Sequence, residues 1–393
     1  MSKNFGVGII GAGIIFEQHV RAYAQLSSQA RLLGVAEVDE TRLRKSVAQH
    51  DIPFATPDYR KLLERDDIDI VTVCTPPCFH ERIVIDALEA GKYVLCEKPL
   101  AHTLQAADRI LDVARRFSGR LSTVYQFRYL PDVQRTVWLR DKQLLGPLLF
   151  GRFSRYARFQ RPGKTRMDWW GRWDVAGGGA MMTQLIHELD QMFHIFGPAV
   201  EVSAVMDTLK EPIESEDTCA VTVRFESGAM ACCYGTVSAQ RSTHGFDVIG
   251  KLASVHCPWS LESMDKRWRQ KALQDVLAVY PMTAGASWRS ESEPCAHTPY
   301  IADVLDAIET GRPLPIGPDE ARASLELCVG IYASALAGRP VSLPIEKTSP
   351  YYGGIAKRDY DRRSWRRFPQ AVCNIPSPGQ ATNQPSSQGG NRQ

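Results

Sequence analysis

The sequence has no uninterrupted apolar run of the roughly 18 residues that a membrane-spanning helix needs, no CxxC pair, and no marked excess of charge of either sign. The first absence argues against a membrane span. The second argues against a zinc ribbon or a dithiol site, although the chain carries 10 cysteines. Cys74 and Cys96 end apolar stretches where a small hydrophobe fits, and the adjacent Cys232 and Cys233 would point to opposite faces of a strand. Reduced, mostly buried thiols are therefore expected, and no metal. A formal charge of +3 over 393 residues leaves no electrostatic footprint for nucleic acid or an acidic membrane surface. The opening MSKNFGVGIIGAG lacks the long apolar core and small-residue cleavage site of a secretory signal, so a cytoplasmic address is expected.

What is present is ordinary globular composition, 44% hydrophobic and 23% charged, on a chain longer than one core usually organises. Through residue 125, apolar strand-like runs alternate with helical patterns. The strands are Phe5–Ile10, Leu32–Val35, Ile70–Cys74, Tyr93–Cys96 and Leu121–Val124. The helices run from about Ile14 to Leu26, over Glu40–His50 and His80–Ala90, and from a Thr103 cap to Phe117. Strands that are apolar throughout predict a parallel sheet covered on both faces. From 126 to 347 the texture changes. Phe150–Phe159, Val200–Met206, Cys219–Phe225 and Met230–Val237 follow one another with turn signals between, which predicts a largely antiparallel open sheet. Helices are expected at Ala180–Phe196, Pro299–Thr310 and Asp319–Leu336. The fold class is thus α/β followed by α+β. Residues 348–393, Arg-rich and then Pro-, Ser-, Gly- and Gln-rich, read as a polar tail disordered in part.

Three segments carry chemistry. Gly11-Ala12-Gly13 and the following Ile14 and Ile15 join a strand to a helix, where glycine lets backbone amides approach a pyrophosphate at the helix N-terminus. Phe16 stands where the usual fingerprint has its third glycine. Glu37, 24 residues after Gly13, ends the next strand and can accept from ribose hydroxyls; no arginine immediately follows it, which favours NAD over NADP, and Asp39 competes for the role. Thr75-Pro76-Pro77 stiffens a loop at the carboxyl edge of the sheet, and His80 either meets phosphate or simply opens the next helix. Glu97-Lys98-Pro99 follows a strand directly. A Lys-Pro bond can be cis at modest cost, aiming an ammonium into the cleft where alkoxide character develops.

In these segments the chain resembles the Gfo/Idh/MocA oxidoreductases. The resemblance rests on GIIGAG at Gly8–Gly13, CTPPCFH at Cys74–His80 and EAGKYVLCEKPLAHT at Glu89–Thr103. It continues through YQFRYLP at Tyr125–Pro131, AGGGAMMTQLIHELD at Ala176–Asp190 and GRPVSLP near the end, in order across about 340 residues. It implies a Rossmann domain, then a substrate domain whose open sheet forms a homodimer or homotetramer contact. It also implies NAD, or less readily NADP, and hydride transfer at a carbinol carbon of a sugar, polyol or nucleotide-sugar. Lys98 and His187 carry over as catalytic residues.

Residues flanking the histidine sharpen that expectation. Met182, Leu185, Ile186, Leu189, Phe193 and Phe196 form one helical apolar stripe, while Thr183 and His187, four apart, share another face. Many family members have Asp where this chain has Thr183, so His187 is expected to be a weak base and Lys98 to carry more of the work. Gln126 is a candidate for nicotinamide contact, Trp170 for a sugar face, and Arg128 for a substrate anion or a structural ion pair. Two rival readings stay open: NAD-dependent glycoside hydrolysis within the same family, and a non-catalytic sensor of dinucleotide or sugar.

Overall fold

A computed structural model describes residues 4–158, 169–282 and 296–361. The tail expected from residue 348 lies outside the described residues beyond Asp361; before that, Lys357–Asp361 is a short helix. Strands β1 (Phe5–Ile10), β2 (Ala30–Ala36), β3 (Phe54–Thr56), β4 (Ile70–Val73), β5 (Tyr93–Glu97) and β6 (Leu121–Val124) form one sheet in the order β3-β2-β1-β4-β5-β6. Every pairing is parallel. All residues of β1, β4 and β6 are buried, as such a doubly covered sheet demands, with Thr72, Ser122 and Thr123 the polar members among otherwise apolar or glycine positions. β3 was not foreseen: three residues at a sheet edge leave almost no periodic signal. Helix caps are local. Asp39 accepts from the Arg42 amide and Thr103 from the Ala106 amide. Asp39 is thereby spent as a cap rather than as a ribose ligand.

The second sheet contains β7 (Leu148–Arg158), β8 (Ala199–Asp207), β9 (Thr218–Phe225), β10 (Met230–Thr236), β11 (Ser238–Gly250), β12 (Ser254–His256), β13 (Ser260–Glu262) and β14 (Val341–Ser342). Their order is β13-β12-β11-β7-β10-β9-β8-β14. All pairs are antiparallel except β10 with β7, so the sheet is mixed. β11 lies between β12 and β7 yet was missed, because SAQRSTHGFDVIG is mostly polar through its first seven residues and broken by Gly245 in the middle. Along β7 and β10, Phe153, Arg155, Ala231 and Cys233 are buried on one face. On the other face Phe150, Tyr156 and Met230 are exposed. The inner face packs on the helix Ile186–Phe196.

The chain then returns to the first sheet. Helix His297–Thr310 packs on helix Phe16–Gln25, and helix Pro318–Ala337 packs on both Leu104–Ala114 and Ile186–Phe196. The Thr123 amide donates to the Ile316 carbonyl at 3.0 Å. Arg128 ties the same seam. Its guanidinium makes two bonds to Asp190, 2.8 and 2.7 Å, and a third to Glu320, while Ser324 also donates to Asp190. Of the two expectations for Arg128, a substrate anion or a structural ion pair, this selects the second: Arg128 is 4% exposed and its guanidinium is taken up by Asp190 and Glu320. A buried pair loses more when halved than it contributes when whole, because the survivor keeps its charge without water. Arg128→Met should therefore cost about 3–5 kcal/mol of stability in urea unfolding; a loss below about 1 kcal/mol would mean the ion pair does not fasten the seam.

Candidate active site

A cavity of about 730 Å³ runs along the carboxyl edge of the parallel sheet and under the inner face of the second. Its first end is built from backbone. Gly11 has φ +98°, and a Cβ there would lie 2.8 Å from the Cys74 carbonyl. A Cβ on Gly13 would meet nothing within 4 Å, so this glycine leaves open space over the turn. Ile14 and Ile15 line the cavity, and helix Phe16–Gln25 begins there with no side-chain cap. Uncapped amides beside open space suit a pyrophosphate.

Glu37 lines the same end, and its carboxylate is busy. Oε2 accepts the Ala12 amide at 2.8 Å; Oε1 accepts the Asp39 amide at 2.9 Å and the Arg42 guanidinium at 3.0 Å. Ala12 thus serves the site by fixing Glu37 rather than by lining the cavity. Arg42 is a cavity residue that the reading of the sequence missed: it stands five positions after Glu37, on the first turn of the next helix, and not directly beside it. These groups fit a dinucleotide with a free ribose 2′-hydroxyl, since the one arginine at hand is already held by the carboxylate.

Thr75, Pro76 and Pro77 line the middle of the cleft. His80 does not. Its ring is buried, with Nδ1 2.9 Å from the Pro99 carbonyl and Nε2 2.8 Å from the Thr75 carbonyl, and burial lowers its pKa. The phosphate contact considered for it is replaced by a brace between two cavity loops. Glu97 lines the cleft and lies 2.8 Å from His19 Nε2 and 3.5 Å from His297 Nε2. Burial alone would raise the Glu97 carboxyl, but the hydrogen bonds and charge of the two histidines hold it well below the usual range. The two imidazole rings and the carboxylate form the one group of metal-ligating type among the described residues.

Lys98 is where the two sheets meet. Nζ donates to the Thr183 carbonyl at 2.7 Å. Burial, reinforced by the Arg155 charge, pulls its pKa down to about 8 against the attraction of Glu97 and Glu188. Thr183 lies in Met181–Leu185, a π-helical turn that precedes the α-helix Ile186–Phe196. Such a wide turn breaks the regular ladder, and it presents the Thr183 carbonyl to the lysine. It also breaks the spacing that would put Thr183 and His187 on one face. Thr183 lines the cleft, with its hydroxyl bonded back to the Gly179 carbonyl at 2.7 Å; His187 does not line it. His187 is 4% exposed, stacks on Phe127 at 4.2 Å, and has no partner for Nδ1. Burial and the charges of Lys98 and Arg155 push its pKa well below the usual range. The helix is buried almost all round, so position off the apolar stripe did not mean access to the cleft.

Arg155 and Glu188 complete the site and were not foreseen. Arg155 lines the cleft from the inner face of β7, donates to Glu188 at 3.3 Å and Gln184 at 3.2 Å, and lies 5.0 Å above the Phe127 ring. Its alternation with Phe153 was the available signal, but nothing in the sequence said which face of the strand was inward. Glu188 is buried, and desolvation outweighs Arg155 to raise its pKa to about 7. Trp169 and Trp170 both line the cleft. Gln126 does not; it is 6% exposed, and its Oε1 is buried without a partner.

Comparison with known proteins agrees with this layout. A family model described as an oxidoreductase family with an NAD-binding Rossmann fold matches residues 5–125, and the GFO/IDH/MocA C-terminal domain matches residues 138–256. The uncharacterized oxidoreductase YrbE of Bacillus subtilis is 29% identical over 253 residues, 63% of this chain and 70% of its own. Levoglucosan dehydrogenase of Pseudarthrobacter phenanthrenivorans is 26% identical over 289 residues, 64% and 73% of the two chains. The WlbA dehydrogenase of Bordetella pertussis, solved with NADH and UDP-GlcNAcA, superposes with a TM-score of 0.75 at 21% identity, over 88% of this chain and 100% of that one.

The buried carboxyls make stability pH-dependent. Glu188 keeps its proton up to about pH 7 when folded, whereas 4.5 is its ordinary value, and Glu216 is raised by burial to about 7 as well. Between those values the unfolded state binds fewer protons than the folded one, so stability falls as pH rises, by roughly 3 kcal/mol per group. Urea unfolding at pH 5 and pH 8 should show this fall, and Glu188→Gln should flatten it; equal slopes in variant and wild type would refute the assignment.

Proposed function

Because the chain belongs to the Gfo/Idh/MocA family of NAD-binding oxidoreductases, we propose that it interconverts a carbinol and a carbonyl on a sugar or polyol, with Lys98 moving the hydroxyl proton. The observation that carries this reading is a half-buried amine at the cleft, held by the Thr183 carbonyl, whose pKa is brought down to about 8. A lysine held there exchanges its proton near neutral pH, as a general acid–base must. When bound, the nicotinamide dinucleotide supplies the hydride acceptor or donor.

The roles of this chain's own residues follow. The Gly11–Ile15 turn and the uncapped helix behind it would hold the pyrophosphate, and Glu37, fixed by Ala12 and Arg42, the adenosine ribose. Thr75-Pro76-Pro77 and Glu97 would shape the nicotinamide end, with His80 and the histidine-clasped Glu97 keeping these loops in place. Substrate would lie against Trp170 with its hydroxyl toward Lys98 Nζ. In the oxidative direction the neutral amine takes the hydroxyl proton; in reduction the ammonium returns it. His187, neutral and behind Thr183, would act by position: its ring on Phe127 backs the turn whose carbonyl holds Lys98. The Thr183 hydroxyl, spent on Gly179, gives His187 no carboxylate-like support. A pure sensing role leaves the tuned lysine unexplained.

The name of the levoglucosan dehydrogenase relative supports a sugar as substrate. The exposed Phe150, Tyr156, Met230 and Val205 on the outer face of the second sheet support a homodimer or homotetramer formed there. No helix among the described residues is long and apolar enough to cross a membrane, which accords with our proposal of a cytoplasmic protein. We divide the chain near residue 125 into a dinucleotide-binding part and a substrate part, a division consistent with the two sheets.

Two measurements test these roles. Lys98→Met should lower kcat by about 10²–10⁴ while leaving NADH affinity within a few fold, and kcat/KM for oxidation by wild type should rise with pH up to about 8 and level above it. Unchanged turnover in the variant would remove Lys98 from the mechanism. Glu37→Ser frees Arg42 at the ribose end, so the NADP-to-NAD preference ratio should climb by about tenfold or more in fluorescence titrations; a constant ratio would mean that the pair does not select the cofactor.

A further inference from the structure

The first amides of a helix have no carbonyl of their own helix to bond, and the π-helical turn Met181–Leu185 opens such a helix. Here those amides are met from two distant parts of the chain. Glu216 Oε2 accepts the Gly179 amide at 3.1 Å and Oε1 the Met181 amide at 2.7 Å, while the Glu216 carbonyl accepts the Ala180 amide at 2.9 Å. The Tyr332 hydroxyl accepts the Met182 amide at 3.2 Å and donates to Glu216 Oε1 at 3.0 Å. Four consecutive amides, Gly179 to Met182, are thus held by two residues, both fully buried.

The glycines before the turn serve this anchor. A Cβ on Gly178 would collide with the Tyr332 hydroxyl, and one on Gly179 with the Glu216 carbonyl. Glu216 enters from the segment just before β9 and Tyr332 from helix Pro318–Ala337, so the turn is fixed against both. The Glu216 carboxyl faces three donors, and the two amides among them can only donate. At pH 8, above the value of about 7 to which burial raises it, the group is ionised and accepts from all three. A glutamine in its place would turn an N–H toward donors and leave at least one of them unmet.

The anchor ends one residue short of the reactive amine's partner. The Thr183 amide returns to the Gly179 carbonyl at 3.0 Å, and the Thr183 carbonyl accepts Lys98 Nζ at 2.7 Å. The place of that carbonyl is therefore set by the amides immediately before it.

We propose that Glu216 and Tyr332 are positioning residues for Lys98: they hold the π-helical turn in the register that offers the Thr183 carbonyl to Nζ. The catalytic meaning of this rests on the oxidoreductase reading above, while the mechanical claim is that loss of the anchor frees the amine.

The test uses the full chain at pH 8 with trace acetic anhydride. Acetylation of Lys98 is read by mass spectrometry against the exposed Lys45 and Lys251, and hydrogen exchange is followed in peptides covering residues 179–185. An ammonium donating to a carbonyl offers the reagent no lone pair, so release should speed acylation. In Tyr332→Phe and Glu216→Gln the relative Lys98 rate should rise about threefold or more, with faster exchange at the turn. Tyr332→Phe deletes a single oxygen and carries the test alone should the glutamine variant fail to fold. Ser334→Ala is the matched control. It removes from the same helix a buried hydroxyl that likewise accepts one amide, Ala204, and donates to one acceptor, the Arg339 carbonyl. Its Lys98 rate should equal that of wild type. Faster exchange at the turn with an unchanged Lys98 rate would overturn the proposal and leave Glu216 and Tyr332 as a helix cap. An equal rise in Ser334→Ala would overturn it too, because the effect would then be general loosening. Neither readout needs substrate or turnover, so the outcome is independent of whether the chain oxidises a sugar.

Discussion

A single hydrogen bond, from Lys98 Nζ to the Thr183 carbonyl, fastens the end of a parallel strand to the first turn of a helix that belongs to the other sheet. Much of what is distinctive about the site depends on burial at that junction. Loss of solvent contact between the two sheets makes charge costly. It lowers the lysine, lowers His187 further and raises Glu188, three shifts whose largest cause is burial in each case. The groups then adjust one another, because Arg155 repels the lysine and attracts Glu188. The chemistry of the cleft is therefore a property of the seam rather than of any one motif.

The seam is held from several directions. Arg128 binds Asp190 and Glu320, and Ser122 bonds both Tyr300 and the Pro315 carbonyl, so chain from far apart converges behind the amine. The helix His297–Thr310 contributes a ring 4.8 Å from His19 and shares its carboxylate partner. Residues late in the chain thereby stabilise the loop that carries Lys98. A framework of this kind keeps the lysine in place without asking the substrate to do so.

Much of this was legible from the amino-acid order. The glycine turn, Glu37, the proline pair and Lys98 announced themselves because each has a local reason to be where it is, at a strand end facing a cleft. Helices were foreseen over Glu40–His50 and Ala180–Phe196, the latter from its apolar stripe, whereas the α-helix begins at Ile186 after the π-helical turn. What escaped were features fixed only by partners distant in sequence. Arg155 and Glu188 look like ordinary charges until the strand and helix are brought together, and Arg42 matters only because the next helix turns it back on Glu37. Arg128 and His80 misled in the opposite sense: a basic group near a cofactor motif reads as a ligand, and only tertiary contacts reveal that its valences are filled. β11 failed for a different reason, since pairing on both sides supports a strand whose own sequence has little preference for one.

The π-helical turn at Met181–Leu185 amounts to one surplus residue threaded into an otherwise regular ladder. An α-helix advances about 100° per residue, so a chain shortened by one position there would regain even pitch while rotating everything upstream by that angle. The threonine carbonyl would swing off the amine, though the downstream apolar stripe would stay seated in the core. Scaffold and reactive centre thus sit on either side of a single hinge in the count, and length variation at this point can retire the chemistry without dismantling the building that houses it.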